Sequence, residues 1–166
     1  MRGGAGNIMK RDLTTETQEA CLKVLSLALD TGYAILKNGG TSLDAVREAV
    51  AVLEDNPHFN AGRGSVFTKK GLHEMDAAIM DGSDLAAGAV AGVRNVRNPI
   101  ELALAIMRNS YPVFLRGSGA NDFALKQGIR LEPADNFFSR FRYEQCKQMR
   151  HGANFALNHS TQQLEK

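Results

Sequence analysis

The residues best suited to chemistry lie in the string Leu53-Glu54-Asp55-Asn56-Pro57-His58-Phe59-Asn60-Ala61-Gly62-Arg63-Gly64-Ser65-Val66-Phe67. It reads as a helix end, a loop and the start of a strand. Pro57 has no N–H and disfavours helix at the residue before it, so the helix should stop near Asn56. Gly62 and Gly64 permit positive φ or close approach by another backbone or a ligand. Between them and the helix end stands Asn60. An amide held on a tight glycine loop can donate to a substrate or a developing oxyanion. It can equally bond its own backbone in a structural turn. Free carbonyls accumulate where Glu54, Asp55 and Asn56 end the helix. Such oxygens can coordinate a hard monovalent cation, or can simply be capped and hydrated.

Elsewhere the chemical signals are weaker. The histidines, His58, His73, His151 and His159, form no pair at metal-ligand spacing, and of them only His58 lies in the central loop. Asp76 and Asp81 fall on a strand and its turn and face different ways, which reads as structural carboxylates, not an acid–base pair. Cys21 and Cys146 have no metal spacing and read as reduced thiols, with a disulfide left open. Gly3-Gly4-Ala5-Gly6 is too short for a dinucleotide loop, and no strand precedes it. Basic residues gather at Arg140, Arg142, Lys147 and Arg150, where a solvated helix face is the expectation.

Taken in order, these segments resemble a known family. Asn60-Ala61-Gly62-x-Gly64-Ser65-x-Phe67, with Gly3-Gly4-Ala5-Gly6, Glu74-Met75-Asp76-Ala77, Met80-Asp81-Gly82, Gly88-Ala89-Val90-Ala91-Gly92-Val93, Arg97-Asn98-Pro99 and Arg142-Tyr143-Glu144-Gln145, is similar to the first subunit of plant-type L-asparaginases and isoaspartyl peptidases. That family belongs to the N-terminal-nucleophile hydrolases. The resemblance implies an α/β fold, a four-layer αββα sandwich of which this chain forms roughly half. It also implies hydrolysis of β-aspartyl dipeptides and L-asparagine, using a threonine exposed by autoproteolysis at the start of a separate beta subunit. The threonine's free amine would serve as base for its own hydroxyl.

On the same resemblance, Asn60 supports the oxyanion and Gly3 and Gly4 form a glycine loop beside the active site. The backbone carbonyls of Leu53, Glu54, Asn56, Phe59, Ala61 and Arg63 would hold a structural sodium ion, with no other cofactor. The implied partners are the beta subunit, in an (αβ)2 assembly, and a small-molecule substrate. Arg2 stands where the family usually has His, and the buried first strand that precedes the glycines is missing. No Gly-Thr-Val-Gly junction occurs, and Thr161, between Ser160 and Gln162, does not match it. The alternative expectation is an inactive, truncated family member acting as a scaffold or binding module.

The elements that must position these residues follow from capping and periodicity. Thr14 or Thr15 should cap a helix carrying Leu22, Leu25, Leu29, Ile35 and Leu36, stopped by Asn38-Gly39-Gly40. Thr41 should start its antiparallel partner, with Val46, Ala49, Val50 and Leu53 on one face. Residues 65–68 and 73–80 suggest a hairpin around Lys69-Lys70-Gly71. Residues 85–93 suit a strand buried on both faces. Asn98 should cap a helix with Pro99 at its first position, running to about Asn109. A short strand at 113–115, a helix ending at Gly128 and a helix from Phe137 to about His151 complete the pattern. Residues 1–157 read as the hydrolase half-domain and 158–166 as a polar tail.

Composition excludes little but is consistent. The chain has 166 residues, 43% hydrophobic and 23% charged, which suits one globular unit. A net charge of +2 makes no electrostatic case for nucleic acid or a membrane surface. The glycine-rich opening gives no expectation of a signal peptide, and no run of about 18 apolar residues occurs in the sequence. A cytoplasmic location is the expectation.

Overall fold

A computed structural model describes residues 14–150. Thr14 caps the first helix, α1 (Thr15–Lys37), by accepting from the Thr17 N–H at 3.2 Å. Asn38 and Gly39, at φ +78°, end it. Thr41 caps α2 (Ser42–Glu54) through the Asp44 N–H at 3.1 Å. The two helices meet through small residues. A β-carbon on Gly32 would stand 3.2 Å from the Ala45 carbonyl oxygen and 3.6 Å from Ala49 Cβ. This corrects the expected faces. Ala28 and Gly32 are the buried positions of α1, while Leu22, Leu29 and Leu36 stay exposed. On α2 the buried set is Leu43, Ala45, Ala49 and Glu54, with Val46 exposed. Close backbone approach selects alanine and glycine for the contact, which periodicity of large apolar residues does not reveal.

Three strands form one sheet in the order β1 (Met75–Met80), β2 (Ala87–Val93), β3 (Phe114–Arg116). β1 and β2 are antiparallel, with a bulge between Met75 and Ala77, and β2 and β3 are parallel. The hairpin therefore joins β1 to β2 across the Asp81-Gly82-Ser83 turn. The expected pairing of 65–68 with 73–80 shrinks to a single bridge between Phe67 and His73. Thr68 closes that turn by accepting from Gly71 N–H and, through its hydroxyl, from Leu72 N–H.

The helices α3 (Pro99–Asn109) and α4 (Gly117–Lys126) cover one face of the sheet. Val90, Val93 and Met75 pack there against Leu102, Ile106, Ala120, Ala124 and Phe137. Ile79 meets Leu43, Ile100, Ala103 and Leu104. Glycine is required at position 88. A β-carbon there would stand 2.8 Å from Met107 Cβ and would collide with the Ala103 carbonyl oxygen. The opposite face, with Ala78, Met80 and Phe114, is exposed, and Ala89 and Ala91 are half-buried. The expectation that β2 is buried on both faces does not hold among the described residues. A 3₁₀ turn, Ala134–Phe137, leads to α5 (Arg140–Arg150), so the last helix starts later than the sequence suggests. No helix among the described residues is long and apolar enough to cross a membrane. The fold is thus α/β, with a helical layer on one side of a small mixed sheet.

Candidate functional site

The loop from Asp55 to Phe67 is wound tightly by its own main chain. Leu53, Asn56 and Ala61 carbonyls accept from the N–H groups of Asn56 (3.2 Å), Phe59 (3.4 Å) and Gly64 (2.9 Å). The Asn56 side chain also accepts from His58 N–H at 3.0 Å, an Asx turn that leaves His58 exposed and gives its ring no part in the site. Gly62, at φ +48°, and Gly64 are both buried. A β-carbon on Gly62 would stand 2.7 Å from the Glu54 carbonyl carbon and closer to its oxygen. On Gly64 it would stand 2.7 Å from the Pro57 oxygen and closer still to that of Phe59. The two glycines therefore form a cradle into which the carbonyls of Glu54, Pro57 and Phe59 are turned. Main-chain oxygens are the donor type a hard monovalent cation takes. Of the six carbonyls expected to hold one, those of Glu54 and Phe59 pack here, and those of Leu53, Asn56 and Ala61 already accept N–H groups.

Asn60 is on the exposed side of this loop, and its Oδ1 accepts from Val66 N–H at 3.0 Å. That bond is the turn-type contact open in the sequence reading, and it has a chemical consequence. It fixes which end of the amide faces the loop and leaves the NH₂ end directed away from that bond, as a donor. Beyond Val66, the loop is tied to β1 through His73. His73 Nδ1 lies 3.1 Å from both the carbonyl and the hydroxyl oxygen of Ser65, and its ring centre lies 4.1 Å from that of Phe67, tilted at 46°. Burial lowers the His73 pKa from its ordinary value, against the Ser65 hydrogen bond, which raises it. Ser65 is itself buried, which makes this pair structural.

Two residues with ionisable side chains are buried beside the loop, where the sequence suggests only a helix end and a solvated face. Glu54, at the end of α2, is only 3% exposed. Its Oε1 accepts from Ile100 N–H at 3.0 Å. It therefore caps α3, the role expected of Asn98, whose side chain instead reaches Asp55 Oδ1 at 3.3 Å. Burial pushes the Glu54 carboxyl up to about 8. Arg142, expected on a solvated face, is 4% exposed. Its Nε donates to the Gly64 carbonyl at 2.9 Å, and Nη1 donates to Gln145 Oε1 at 3.0 Å. Burial lowers its pKa. The signals were there: Glu54 lies four residues after Val50 on the inner side of α2. Arg142, Gln145 and Cys146 recur at helical spacing. At the rim, Arg97 grips Asp55 with both ends of its fork, at 2.9 and 3.0 Å.

The loop leads into the end of the sheet where β1 begins and β2 and β3 finish. A cleft of about 760 Å³ opens at that end, lined by Glu74, Gly92, Arg94, Arg116, Ser118 and Asn121 among others. Asp76 is spent on Gly92 N–H (2.8 Å) and Asp81 on Ser83 (2.9 Å), so both carboxylates are structural as expected. Among the described residues no cluster of His, Cys, Asp or Glu could hold a metal ion. The thiols of Cys21 and Cys146 are free. Gly3 and Gly4 lie outside the described residues.

Fold and site together define an α/β protein with a tightly wound glycine loop between α2 and a small mixed sheet. The sequence profile of a family described as asparaginase matches residues 1–166. The isoaspartyl peptidases of Salmonella typhimurium and Escherichia coli are 42% and 40% identical over 166 residues, covering 100% of this chain and 53% and 52% of their own lengths. The human isoaspartyl peptidase/L-asparaginase is 41% identical over 149 residues, 90% of this chain and 47% of its own length. The chain belongs to this asparaginase family, that of the isoaspartyl peptidases and L-asparaginases. It spans about half the length of the curated relatives it matches.

Proposed function

We propose that this chain forms the alpha-subunit half of an isoaspartyl peptidase/L-asparaginase that hydrolyses β-aspartyl dipeptides and L-asparagine. The nucleophilic threonine belongs to a beta-subunit half, freed by autoproteolysis, and the two halves pair into an (αβ)2 assembly. The observation that carries the reading is the Asn60 amide, anchored by its oxygen to Val66 N–H at 3.0 Å on a loop whose glycines admit no side chain. In acyl transfer the threonine hydroxyl attacks the amide carbonyl while its own amine takes the proton. The carbonyl oxygen becomes an oxyanion, and a neutral, pre-oriented amide NH₂ stabilises it without changing protonation state. The exposed sheet face with Ala78, Met80 and Phe114 supports a second sheet packing there, as the αββα sandwich requires.

A sodium ion is the second part of the reading. The packing of the Glu54 and Phe59 carbonyls at Gly62 and Gly64 supports it, and on the family resemblance the carbonyls of Leu53, Glu54, Asn56, Phe59, Ala61 and Arg63 would hold the ion. When bound, the ion would add positive charge that keeps the carbonyls converged, so that the loop has one conformation. Two free thiols support a reducing, cytoplasmic setting.

The test is Asn60→Ala in the assembled, full-length enzyme. Loss of one oxyanion donor costs roughly 10²–10³ in rate, so kcat falls by that factor with KM nearly unchanged. Asn60→Asp does no better, because a carboxylate would face the developing charge. A well-folded Asn60→Ala enzyme with near-normal kcat sinks the assignment.

A further inference from the structure

Gly64 is held from two sides. Its Cα is pressed under the carbonyls of Pro57 and Phe59, and its own carbonyl accepts from Arg142 Nε at 2.9 Å. The chain then runs two residues to Val66, whose N–H anchors the Asn60 amide at 3.0 Å. The Gly64–Ser65 peptide adjoins the Ser65–Val66 peptide, whose carbonyl is met by His73 Nδ1 at 3.1 Å, so the orientation of the first contributes to the direction in which Val66 N–H points and to the plane of the Asn60 side chain. The Gly64–Ser65 peptide is held at its N–H, which Ser65 donates to the Gly62 carbonyl at 3.1 Å, and at its carbonyl by a guanidinium on a different element, α5, which reaches across 78 residues of sequence. Arg142 is in turn held by Gln145 one turn on, at 3.0 Å, and its guanidinium carbon lies 5.3 Å from the centre of the Phe141 ring. Burying a guanidinium costs desolvation, and a planar fork with fixed donor directions is suited to holding one carbonyl in one direction.

We propose that Arg142 is the positioning residue of the Asn60 loop: its buried guanidinium clamps the Gly64 carbonyl so that the loop presents the Asn60 amide in one fixed orientation. It acts through Gly64 and Val66. The inference rests on the reading of Asn60 as oxyanion donor for its effect on rate, but not for the clamp itself. A displacement of about 1 Å at a catalytic group can cost on the order of 10²-fold in rate. Lysine, a compact charge with no fork, keeps the charge and loses the fixed direction.

The experiment compares Arg142→Lys, Asn60→Ala and the double variant in the assembled, full-length enzyme. Two readouts are followed: kcat and KM on an isoaspartyl dipeptide, and hydrogen exchange of the Val66 amide. Arg142→Lys is expected to lower kcat by roughly 10²-fold with KM within about threefold. In the Asn60→Ala background the same change should lower kcat by less than about threefold, because the group it positions is gone. Val66 exchange should quicken in Arg142→Lys. Full additivity of the two changes, or unchanged kcat and exchange in Arg142→Lys, would overturn the proposal. If Asn60→Ala alone keeps near-normal kcat, the catalytic reading fails, and exchange decides the clamp: quickened exchange upholds it and unchanged exchange ends it. Should Arg142→Lys fail to fold, Gln145→Met keeps the guanidinium and removes its tether. Quickened Val66 exchange with lowered kcat then supports the clamp, and wild-type behaviour refutes it.

Discussion

Replacing Gly64 with alanine is the sharpest test of the carbonyl cradle. The added β-carbon would stand 2.7 Å from the Pro57 oxygen and 2.9 Å from its carbonyl carbon, and nearer still to the Phe59 oxygen. Ordinary contact begins at about 3.4 Å, and every neighbour in the way is main chain, which cannot rotate aside. The loop must open by several tenths of an ångström or more. Overpacking of this kind costs about 1–3 kcal/mol. Opening also threatens the charged bond from Arg142 to the Gly64 carbonyl, worth about 1.5–3 kcal/mol, and the neutral bond between Asn60 and Val66, worth about 1 kcal/mol. A loss of about 3 kcal/mol or more follows.

For a chain of this size each kcal/mol is worth roughly 2–4 °C in Tm, so Gly64→Ala should melt roughly 6–12 °C lower. Gly82→Ala is the control. It lies in a turn with nothing within 4 Å of the new carbon, so its Tm should hold or rise slightly. Thermal unfolding of the assembled protein, followed by circular dichroism with and without sodium, reads both. Equal melting temperatures for the two variants would show that the loop does not close around Gly64, and the cradle argument would go with it.

Three further outcomes are expected. Glu54→Gln keeps an oxygen for the Ile100 N–H, whereas Glu54→Ala leaves that buried donor unpaired, at about 1–3 kcal/mol. Unfolding free energies of the two variants from urea titrations should therefore differ by that much, and equal values would remove the cap. His73 has a folded pKa below the ordinary 6.5, so between those values the unfolded chain holds more protons and stability falls as pH drops below about 6.5. His73→Asn should flatten that acid limb, and an unchanged slope would place its origin elsewhere. Sodium, titrated at constant ionic strength against choline, should raise Tm along a saturating curve as expected for a ligand of the folded state alone. A flat response means that the loop binds no such ion.

The backbone signals of the sequence were legible because they act locally. Thr14, Thr41, Asn38 and Gly39 mark the ends of α1 and α2 where capping chemistry puts them. Pro99 likewise opens α3. The central loop was legible because Gly62 and Gly64 are demanded by contacts within a dozen residues. The hairpin was misjudged for the opposite reason. Residues 65–68 have strand-like types, but pairing depends on what lies across, and β1 finds β2 instead. The inner faces of α1 and α2 were misjudged because a close helix pair is built from Ala28, Gly32, Ala45 and Ala49, which carry little hydrophobic signal.

The buried charges make the deeper point. Glu54 and Arg142 both look like solvent-facing residues, and composition treats them so. Each is buried because it satisfies a main-chain group that another element cannot reach: the Ile100 N–H at the start of α3, and the Gly64 carbonyl in the loop. The partners lie 46 and 78 residues away, so no local pattern can pair them. A loop that turns its carbonyls inward needs positive charge on its outer side as much as within. Arg142 supplies it at Gly64, and a cation in the cradle would supply it at Glu54 and Phe59. On this argument the loop is held between two charges, and removing either one should loosen the same Asn60 amide.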